Sequence, residues 1–445
     1  MKKNIFLISA SLLCLALGVA SCAPNGGDEN QYTLPDLYNV TLRQAKLDCG
    51  ANVLFETNEV ETTRLVEGRI LGYSDTEAGA KVTKGSTVKI DVAKRVAHAK
   101  NYPDTSIISY SDVIEKITGP DSLNEDLTSA HGVGGTDLGI PFELPDGRMM
   151  LLYGDTFSGQ NMQGIWHSNF MAITSDTDLS DGLTFDELIH NEDNNQVIPF
   201  AEGNHQAESQ TNKNVEVTKI PTGGISIGND VYIFYMSIRY WGVGGSWLVT
   251  YNQCVKATDD TYKTWEPVES LKWTDDELYY AGQIYPFYNP KDNEHIYFTS
   301  IPGGRNDGAV MFRVDKEDFE NRDEYEYLTG NNTWTKGDEG MRQLNSNPHY
   351  ILSPSVSEPS IIYSEYLDKF VYCTLKGTAI ALCLADDVTG PYDQVHNVCN
   401  ASDYPGLYGG FLHEKFTDTD GQRMYIQLSR WTPIYNTFVM EVVLK

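Results

Sequence analysis

Two aspartates in one short stretch are the residues of this chain best placed to do chemistry. Asp137 and Asp155 lie in the segment that reads GGTDLGIPFELPDGRMMLLYGDTF, residues 134–157. Two carboxyl groups held close together split their pKa values, so one of them stays protonated near neutral pH. Such a pair can supply the acid and the base or nucleophile of glycoside hydrolysis.

The same segment predicts a β-hairpin that positions the two acids. Apolar residues alternate along it, as in a half-buried strand, and Pro145-Asp146-Gly147 has the composition of a three-residue turn. Counting outward from this turn gives three facing pairs: Phe142 with Met150, Ile140 with Leu152, and Asp137 with Asp155. This register puts both carboxyl groups on one face of the hairpin, with Leu138 and Ile140 on the other.

The residues by themselves leave three interpretations of the acid pair open. Besides catalysis, carboxylate oxygens suit a structural Ca²⁺ ion. In the third interpretation, Asp137 caps a turn and Asp155 accepts backbone hydrogen bonds. No other cofactor or metal is expected. Zinc is disfavoured because the five cysteines after Cys22 are widely spaced and form no CxxC pair.

The amino-acid composition narrows the fold class of the protein and the type of ligand it can bind. The 445 residues suffice for one large domain and a small one. Gly and Tyr are abundant, with 38 and 27 residues, and long stretches of helical period are scarce, which favours an all-β chain. The formal net charge of −29 argues against nucleic acid, which requires a basic surface, and suits a neutral polysaccharide.

The first residues predict a targeting segment. Residues 1–21 have a charged start and an apolar run too short to span a membrane. Val19-Ala20-Ser21-Cys22 resembles the lipobox of bacterial lipoproteins, followed by a polar tether over 22–31. We therefore expect lipidation at Cys22, membrane contact through that anchor, and a location at the outer membrane or cell surface. An ordinary signal peptide with a chance cysteine is the alternative.

Residues 32–95 predict a small α+β domain, followed by a linker over 96–111. Its pieces are an extended start at Leu34-Pro35-Asp36-Leu37, a short helix after Thr41, and an alternating strand at the end of AGAKVTKGSTVKIDV, residues 78–92. This pattern resembles the PASTA domain. The resemblance implies either a spacer or a module that binds peptidoglycan.

Residues 112–445 repeat one type of β-hairpin, which consists of an apolar strand, a turn with Asp, Asn or Gly, and an aromatic-rich strand. The turns lie at 145–147, 229–230, 290–293, near 368, and at 418–421. Five such hairpins predict a five-bladed β-propeller. We further expect Asp112–Thr118 to close the ring by pairing with the last blade, because closure covers two open sheet edges.

Six further residues are candidates for substrate binding or support: Trp166, Arg239, Tyr240, Trp241, Glu358 and His413. The three aromatic residues lie in glycine-containing loops, where they can stack on a sugar ring or pack in the core. Arg239 can bind a hydroxyl or pair with an acid. Glu358 can tune the acid pair or form a salt bridge at the rim, and His413 can bind a hydroxyl or an aspartate, or be a satisfied structural residue.

Several motifs resemble the DUF4185 family over roughly residues 117–445. The matching stretches are GTDLG (135–139), YGDTF (153–157), IPTGG (220–224), SEPS (357–360) and YGGFLH (408–413). Part of that family is similar to glycoside hydrolase family 183, the endo-D-arabinanases. The resemblance implies a five-bladed propeller that cleaves a furanosidic glycan, D-arabinan first, with Asp137 and Asp155. A non-catalytic lipoprotein that binds glycans or the cell wall is the alternative.

Overall fold

The computed structural model describes residues 30–38, 40, 42–62, 68–95, 100 and 102–445. The predicted signal peptide, Cys22, most of the tether and Thr41 lie outside the described residues. The chain divides into two compact units, Met1–Val60 with Gly68–Ala93, and Glu61–Glu67 with Lys94–Lys445. In the described ranges, no helix has the length and apolar character needed to cross a bilayer.

The first unit combines one helix with short strands. Its described elements are β1 (Gln31–Thr33), α1 (Leu42–Cys49), β2 (Val53–Thr62), β3 (Ile70–Tyr73), β4 (Lys81–Thr83) and β5 (Ser86–Arg95). β2, β5 and β3 form one sheet in that order, and β1 pairs with β4. Ala45 and Cys49 of α1 are buried with Val88 and Ile90 of β5, which forms the unit's own core. The unit contains the helix and the alternating strand that the sequence predicts.

The second unit is built almost entirely from strands. Its strands and helices, in chain order, are β6 (Ile108–Lys116), α2 (Glu125–Ala130), β7 (Leu138–Glu143), β8 (Met149–Tyr153), β9 (Thr156–Gly159), β10 (Gln163–His167), β11 (Phe170–Thr174), β12 (Glu187–Leu188), β13 (Thr218–Ile227), β14 (Asp230–Trp241), β15 (Trp247–Ala257), β16 (Trp265–Thr274), β17 (Gln283–Asn289), β18 (Asp292–Ile301), β19 (Val310–Asp315), β20 (Glu326–Gly330), β21 (Thr333–Lys336), α3 (Gly337–Ser346), β22 (Val356–Ser364), β23 (Lys369–Lys376), β24 (Ala379–Ala385), β25 (Gln394–Asn400), β26 (Leu407–Phe411), β27 (Arg423–Arg430) and β28 (Asn436–Leu444). The predominance of strand confirms the all-β prediction.

In this part of the chain the strands form five main sheets, which follow one another along the sequence. They are β7-β8-β11-β12, β13 to β16, β17 to β21, β22 to β25, and β26-β27-β28-β6, while β9 and β10 pair as a separate ribbon. The first strand of each sheet contacts the first strand of the next, and β26 also contacts β7. The five first strands therefore surround one central axis.

The last sheet is completed by the strand that precedes all the others. β6 pairs antiparallel with β28, with Asp112 opposite Glu441 and Lys116 opposite Phe438. This confirms the predicted closure. The strand begins at Ile108, which lies opposite Leu444, so residues 108–111 of the predicted linker belong to the sheet. The reason is that β28 offers unpaired backbone groups along its whole length, and a longer partner satisfies more of them.

Candidate active site

The β7–β8 hairpin carries both aspartates and has the predicted turn. The Leu144 amide donates to the Arg148 carbonyl at 2.8 Å across Pro145–Gly147. The Asp146 carboxylate accepts the Arg148 amide at 3.0 Å, which fixes the turn. Two of the predicted facing pairs are present: Phe142 with Met150 and Ile140 with Leu152.

Beyond Ile140 the register changes, because Leu138 and Gly139 form a bulge. Both have positive φ, at 70° and 80°, and Leu138 pairs with Tyr153 instead of Gly154. A bulge re-aims the side chains around it. As a result Asp137, Leu138 and Ile140 all line the same cavity. The prediction that the acids lie on the face opposite Leu138 and Ile140 is therefore wrong.

Asp137 and Asp155 line one cavity of about 450 Å³ at one end of the central axis. Each first strand contributes a residue from its N-terminal half: Leu138, Ile220, Gln283, Glu358 and Tyr408. The starts of all five first strands therefore converge on the two acids.

Asp155 is half-buried and receives two hydrogen bonds on the same oxygen. Oδ1 accepts from the Thr218 hydroxyl at 2.6 Å and from Trp166 Nε1 at 2.9 Å. Burial raises the pKa of Asp155 to about 7; the Thr218 bond opposes this rise and the nearby charge of Asp137 adds to it. Asp155 is therefore protonated in a large fraction of molecules at neutral pH.

Asp137 is held from a different strand. Its Oδ2 accepts the Tyr408 hydroxyl at 2.6 Å, while Oδ1 is buried and has no hydrogen-bond partner among the described residues. Burial raises the pKa of Asp137 to about 6, against the lowering effect of the Tyr408 bond. The Tyr435 hydroxyl donates to the Asp155 carbonyl at 2.9 Å and joins the two acids from the side of the last sheet.

Gly154 makes room for the acid pair. A Cβ atom at this position would lie 2.3 Å from Oδ1 of Asp137 and 3.1 Å from Leu138. Real Cβ atoms do not approach another atom so closely, so the Asp137 carboxylate would have to move. The glycine in the Tyr-Gly-Asp sequence is therefore required by the packing of the site.

Arg305 is the cation of the cavity, and the sequence interpretation missed it. Its Nη2 donates to Glu358 Oε1 at 2.6 Å, and its guanidinium lies 5.2 Å from the Trp247 ring and 5.0 Å from the Tyr408 ring. Glu358 has φ of 41° and lines the cavity, with Oε2 buried and unpartnered within the described part of the chain. Glu358 thus forms a salt bridge with Arg305 and also lines the cavity that contains the two acids.

Trp166 and Trp241 take different parts in the site. Trp166 is half-buried and stacks on Phe157, with ring centroids 5.9 Å apart and 13° between the planes. Its indole N–H is bonded to Asp155, so Trp166 positions that acid. Trp241 lines the cavity and is 38% exposed, which leaves it available to a ligand.

A charged cluster packs against Trp166. The His205 ring lies 4.1 Å from the Trp166 ring, and Glu202 binds both His205 at 2.8 Å and His167 at 3.1 Å. Burial raises the pKa of Glu202, but the hydrogen bonds from His167 and Ser168 outweigh burial and hold it at about 2. Glu202 is therefore a permanent anion close to Asp155.

Arg239 and Tyr240 lie away from the cavity. Arg239 is buried and donates to the Val249 carbonyl and, at 3.1 Å, to Asp275. Tyr240 pairs with Leu248 across β14 and β15 and does not line the cavity. Trp241 is the one residue of this predicted trio that reaches the site, because it lies at the end of β14, where the chain turns over the opening.

His413 lies at the opposite end of the central axis. It lines a second cavity with Glu143 and Tyr288, and its Nδ1 accepts the Lys415 amide at 3.2 Å. Burial lowers the pKa of His413 to about 4, so the ring is neutral near pH 7. Tyr408 and His413 are five residues apart on an extended chain, a distance of about 16 Å. The YGGFLH motif therefore reaches the acids through its tyrosine and not through its histidine.

The site also includes four residues that were not among the candidates selected from the sequence, namely Thr218, Arg305, Tyr408 and Tyr435. A signal was available for Tyr408, because it is the first residue of the YGGFLH motif and lies at the start of a first strand, close to the position that Asp137 has before β7. Thr218 and Arg305 come from other sheets, and only ring closure brings them to the acids. Among the described residues, no group of three or more His, Cys, Asp or Glu side chains is arranged to hold a metal ion.

Comparison with known proteins agrees with this picture. The sequence model of a family described as "Domain of unknown function (DUF4185)" matches residues 122–441, which confirms the resemblance. Notoamide biosynthesis cluster protein J' of Aspergillus versicolor is 27% identical over 70% of this chain and 85% of its own length. Protein J of Aspergillus sp. (strain MF297-2) is 26% identical over 71% and 85%. A crystal structure from Bacteroides ovatus ATCC 8483 shares the fold, with a TM-score of 0.50 and 13% identity over 72% of this chain and 88% of that one.

Proposed function

Since this chain belongs to the DUF4185 family, we propose that it is a glycoside hydrolase that cleaves a furanosidic glycan with Asp137 and Asp155. D-arabinan is the first candidate substrate. One observation carries the proposal: two carboxyl groups line one cavity, and their pKa values lie near 6 and 7. Ordinary aspartates titrate near pH 3.9 and are both ionised at neutral pH.

Asp155 is the general acid in this proposal. Both donors to its side chain bind Oδ1, which leaves Oδ2 to carry the proton. Asp155 gives this proton to the glycosidic oxygen as the bond from that oxygen to the anomeric carbon breaks.

Asp137 is the carboxylate partner. The Tyr408 hydroxyl stabilises its anionic form, and the positive charge of Arg305 lowers its pKa. The Asp137 carboxylate either attacks the anomeric carbon or takes a proton from the attacking water. In the first case a second step hydrolyses the glycosyl ester on Asp137 with a water whose proton returns to Asp155. In the second case Asp137 releases its proton to solvent and Asp155 takes one up from solvent.

The architecture and location follow the same proposal. We propose that the five sheets are the blades of a five-bladed propeller and that the first unit is a PASTA-type module that binds peptidoglycan or acts as a spacer. Lipidation at Cys22 would anchor the protein in the cell envelope. The closed ring of first strands supports the propeller assignment, because the blades of a propeller are sheets arranged around one central axis.

Incubation of the purified protein with D-arabinan, L-arabinan and arabinogalactan, with products identified by mass spectrometry, tests the proposal. Asp137→Asn and Asp155→Asn should each reduce turnover by about 10²–10⁴-fold or more. Asp193→Asn, at an exposed aspartate, is the matched control and should keep full activity. A parent protein that binds one of these glycans without cleaving it would instead support the glycan-binding alternative.

A further inference from the structure

Three loops place exposed apolar side chains around the mouth of the cavity. They are the β9–β10 turn, the β14–β15 turn and the β27–β28 turn. Their exposed residues are Met162 (45%), Trp241 (38%), Val243 (90%), Trp431 (59%) and Ile434 (39%). We call these five residues the apolar collar. Met162, Trp241 and Trp431 line the cavity themselves, and the other two adjoin the lining residues Gly242 and Tyr435.

The wall below the collar is also mainly apolar. It includes Leu138, Ile140, Ile220, Met236 and Phe411. An exposed apolar surface around a cavity is unusual in a chain with a net charge of −29. Such surfaces mark sites of interaction.

The polar groups of the cavity are largely committed to the protein itself. Gln283 donates to the Gly304 carbonyl at 3.0 Å and accepts the Glu358 amide at 3.3 Å. The hydroxyls of Tyr408 and Tyr435 donate to Asp137 and to the Asp155 carbonyl. These groups have little capacity left for the many hydroxyls of a sugar polymer.

The free polar atoms lie on residues that surround the acids. Oδ1 of Asp137, Oε2 of Glu358 and Nε1 of Trp247 are buried and have no hydrogen-bond partner among the described residues. Because these atoms are buried beside the acids, they do not serve a second sugar at the mouth of the cavity. A second sugar at the collar would meet Met162, Val243 and Ile434, and each hydroxyl buried there without a partner would weaken binding by about tenfold.

We propose that the apolar collar binds an alkyl or aryl group attached to the sugar that the acids process. The substrate is then an amphiphilic glycoside, with one furanose at Asp137 and Asp155 and an apolar group at the mouth. This inference rests on the proposed function and narrows its substrate class from a furanosidic glycan such as D-arabinan to a furanoside that carries an apolar group. A contact between the collar and an anionic membrane surface is disfavoured by the acidic charge of the chain.

Calorimetric titration of the full chain carrying Asp155→Asn, so that no turnover occurs, tests the collar directly. The probes are methyl, n-butyl and n-octyl D-arabinofuranosides. Full burial of one methylene is worth about fourfold in affinity, so partial burial should make the octyl glycoside at least about 30-fold tighter than the methyl glycoside. Equal affinity of the three probes would overturn the inference.

Trp431→Ser combined with Val243→Ser should remove this dependence on tail length. Tyr366→Ser with Val395→Ser is the matched control, because both residues are exposed, at 41% and 40%, and neither lines the cavity. A dependence that survives in the collar variant as well as in the control would also overturn the inference. So would collar-dependent binding to phosphatidylcholine vesicles without any effect of tail length, which would assign the collar to a membrane.

The collar and the proposed hydrolase activity can fail separately. Cleavage of D-arabinan oligosaccharides together with equal binding of all three probes would support the hydrolase activity and exclude the proposed role of the collar. Collar-dependent binding of the octyl glycoside, with no furanoside cleaved, would support the proposed role of the collar and exclude the hydrolase activity.

Discussion

Tyr408 donates a 2.6 Å hydrogen bond from its hydroxyl to Oδ2 of Asp137. Tyr408 lies on β26 and Asp137 directly precedes β7. These are the first strands of two different sheets, and they contact each other where the ring closes. The hydroxyl stabilises the ionised form of a buried acid that burial alone would keep protonated to higher pH. The closure of the ring thus sets the charge state of Asp137.

Tyr408→Phe should raise the pKa of Asp137 by removing this donor. If Asp137 acts as a carboxylate, the acid limb of the kcat/KM profile should move to higher pH by about one unit or more, because a hydrogen bond to a charged group contributes about 1.5–3 kcal/mol. The pH dependence of kcat/KM measures this. Tyr404→Phe is the matched control, since Tyr404 donates to Asp112 at 2.7 Å outside the cavity. An unmoved acid limb in Tyr408→Phe would contradict the role of Asp137.

The two acids should make stability depend on pH in a defined direction. The pKa of Asp155 is raised in the folded state to about 7, against about 3.9 when unfolded. Its stabilising contribution is therefore complete below pH 4 and is lost as pH rises through 7. The melting temperature of Asp155→Asn, minus that of the parent, should increase between pH 4 and pH 7.5. Differential scanning calorimetry measures this difference, and Asp193→Asn should show no such trend.

Gly154→Ala should displace the Asp137 carboxylate, because the new Cβ would lie 2.3 Å from its Oδ1. We expect kcat/KM to fall by about 10²-fold, since a misplacement of about 1 Å in a catalytic group has that effect. Gly330→Ala is the control: its Cβ would meet nothing closer than 3.6 Å. A Gly154→Ala protein with unchanged kcat/KM would show that the carboxylate adjusts without loss.

Ile90→Ala should destabilise the first unit and leave the second unit intact. Ile90 is fully buried in the core of the first unit, and such truncations cost about 2–5 kcal/mol. Calorimetry should resolve one transition that moves to lower temperature and another that does not move. Val395→Ala, at an exposed site of the second unit, is the control and should move neither. A single transition that shifts as a whole would indicate that the units unfold together.

Cys22→Ser tests the proposed anchor. If the Val19-Ala20-Ser21-Cys22 segment is a lipobox, the parent should fractionate with membranes, and the variant should be released or accumulate unprocessed. Cell fractionation with immunoblotting measures this. Cys49→Ser is the matched control and should still fractionate with membranes. A variant that stays in the membrane fraction with unchanged processing would exclude lipidation at Cys22.

Local features of this protein could be predicted from its amino-acid sequence. The turn at Pro145–Gly147, two of the three facing pairs beyond it and the closing strand follow from turn chemistry and alternation, which act between neighbours in the chain. That Asp137 and Asp155 lie close together could also be inferred locally, because they flank the two strands of one hairpin. These features depend on contacts a few residues long, and such contacts are readable from a linear pattern.

The composition of the site depends on tertiary contacts. The bulge at Leu138 and Gly139 turned Asp137 to the same cavity as its apolar neighbours. Gly139 permits a bulge, but the alternation around it is typical of a regular strand. Arg305 and Tyr408 reach the acids because five sheets close into a ring, whereas His413 is carried to the far end of the same axis by the length of β26. Burial set the pKa values of both aspartates, and burial is a property of the assembled ring that no single segment of the sequence contains.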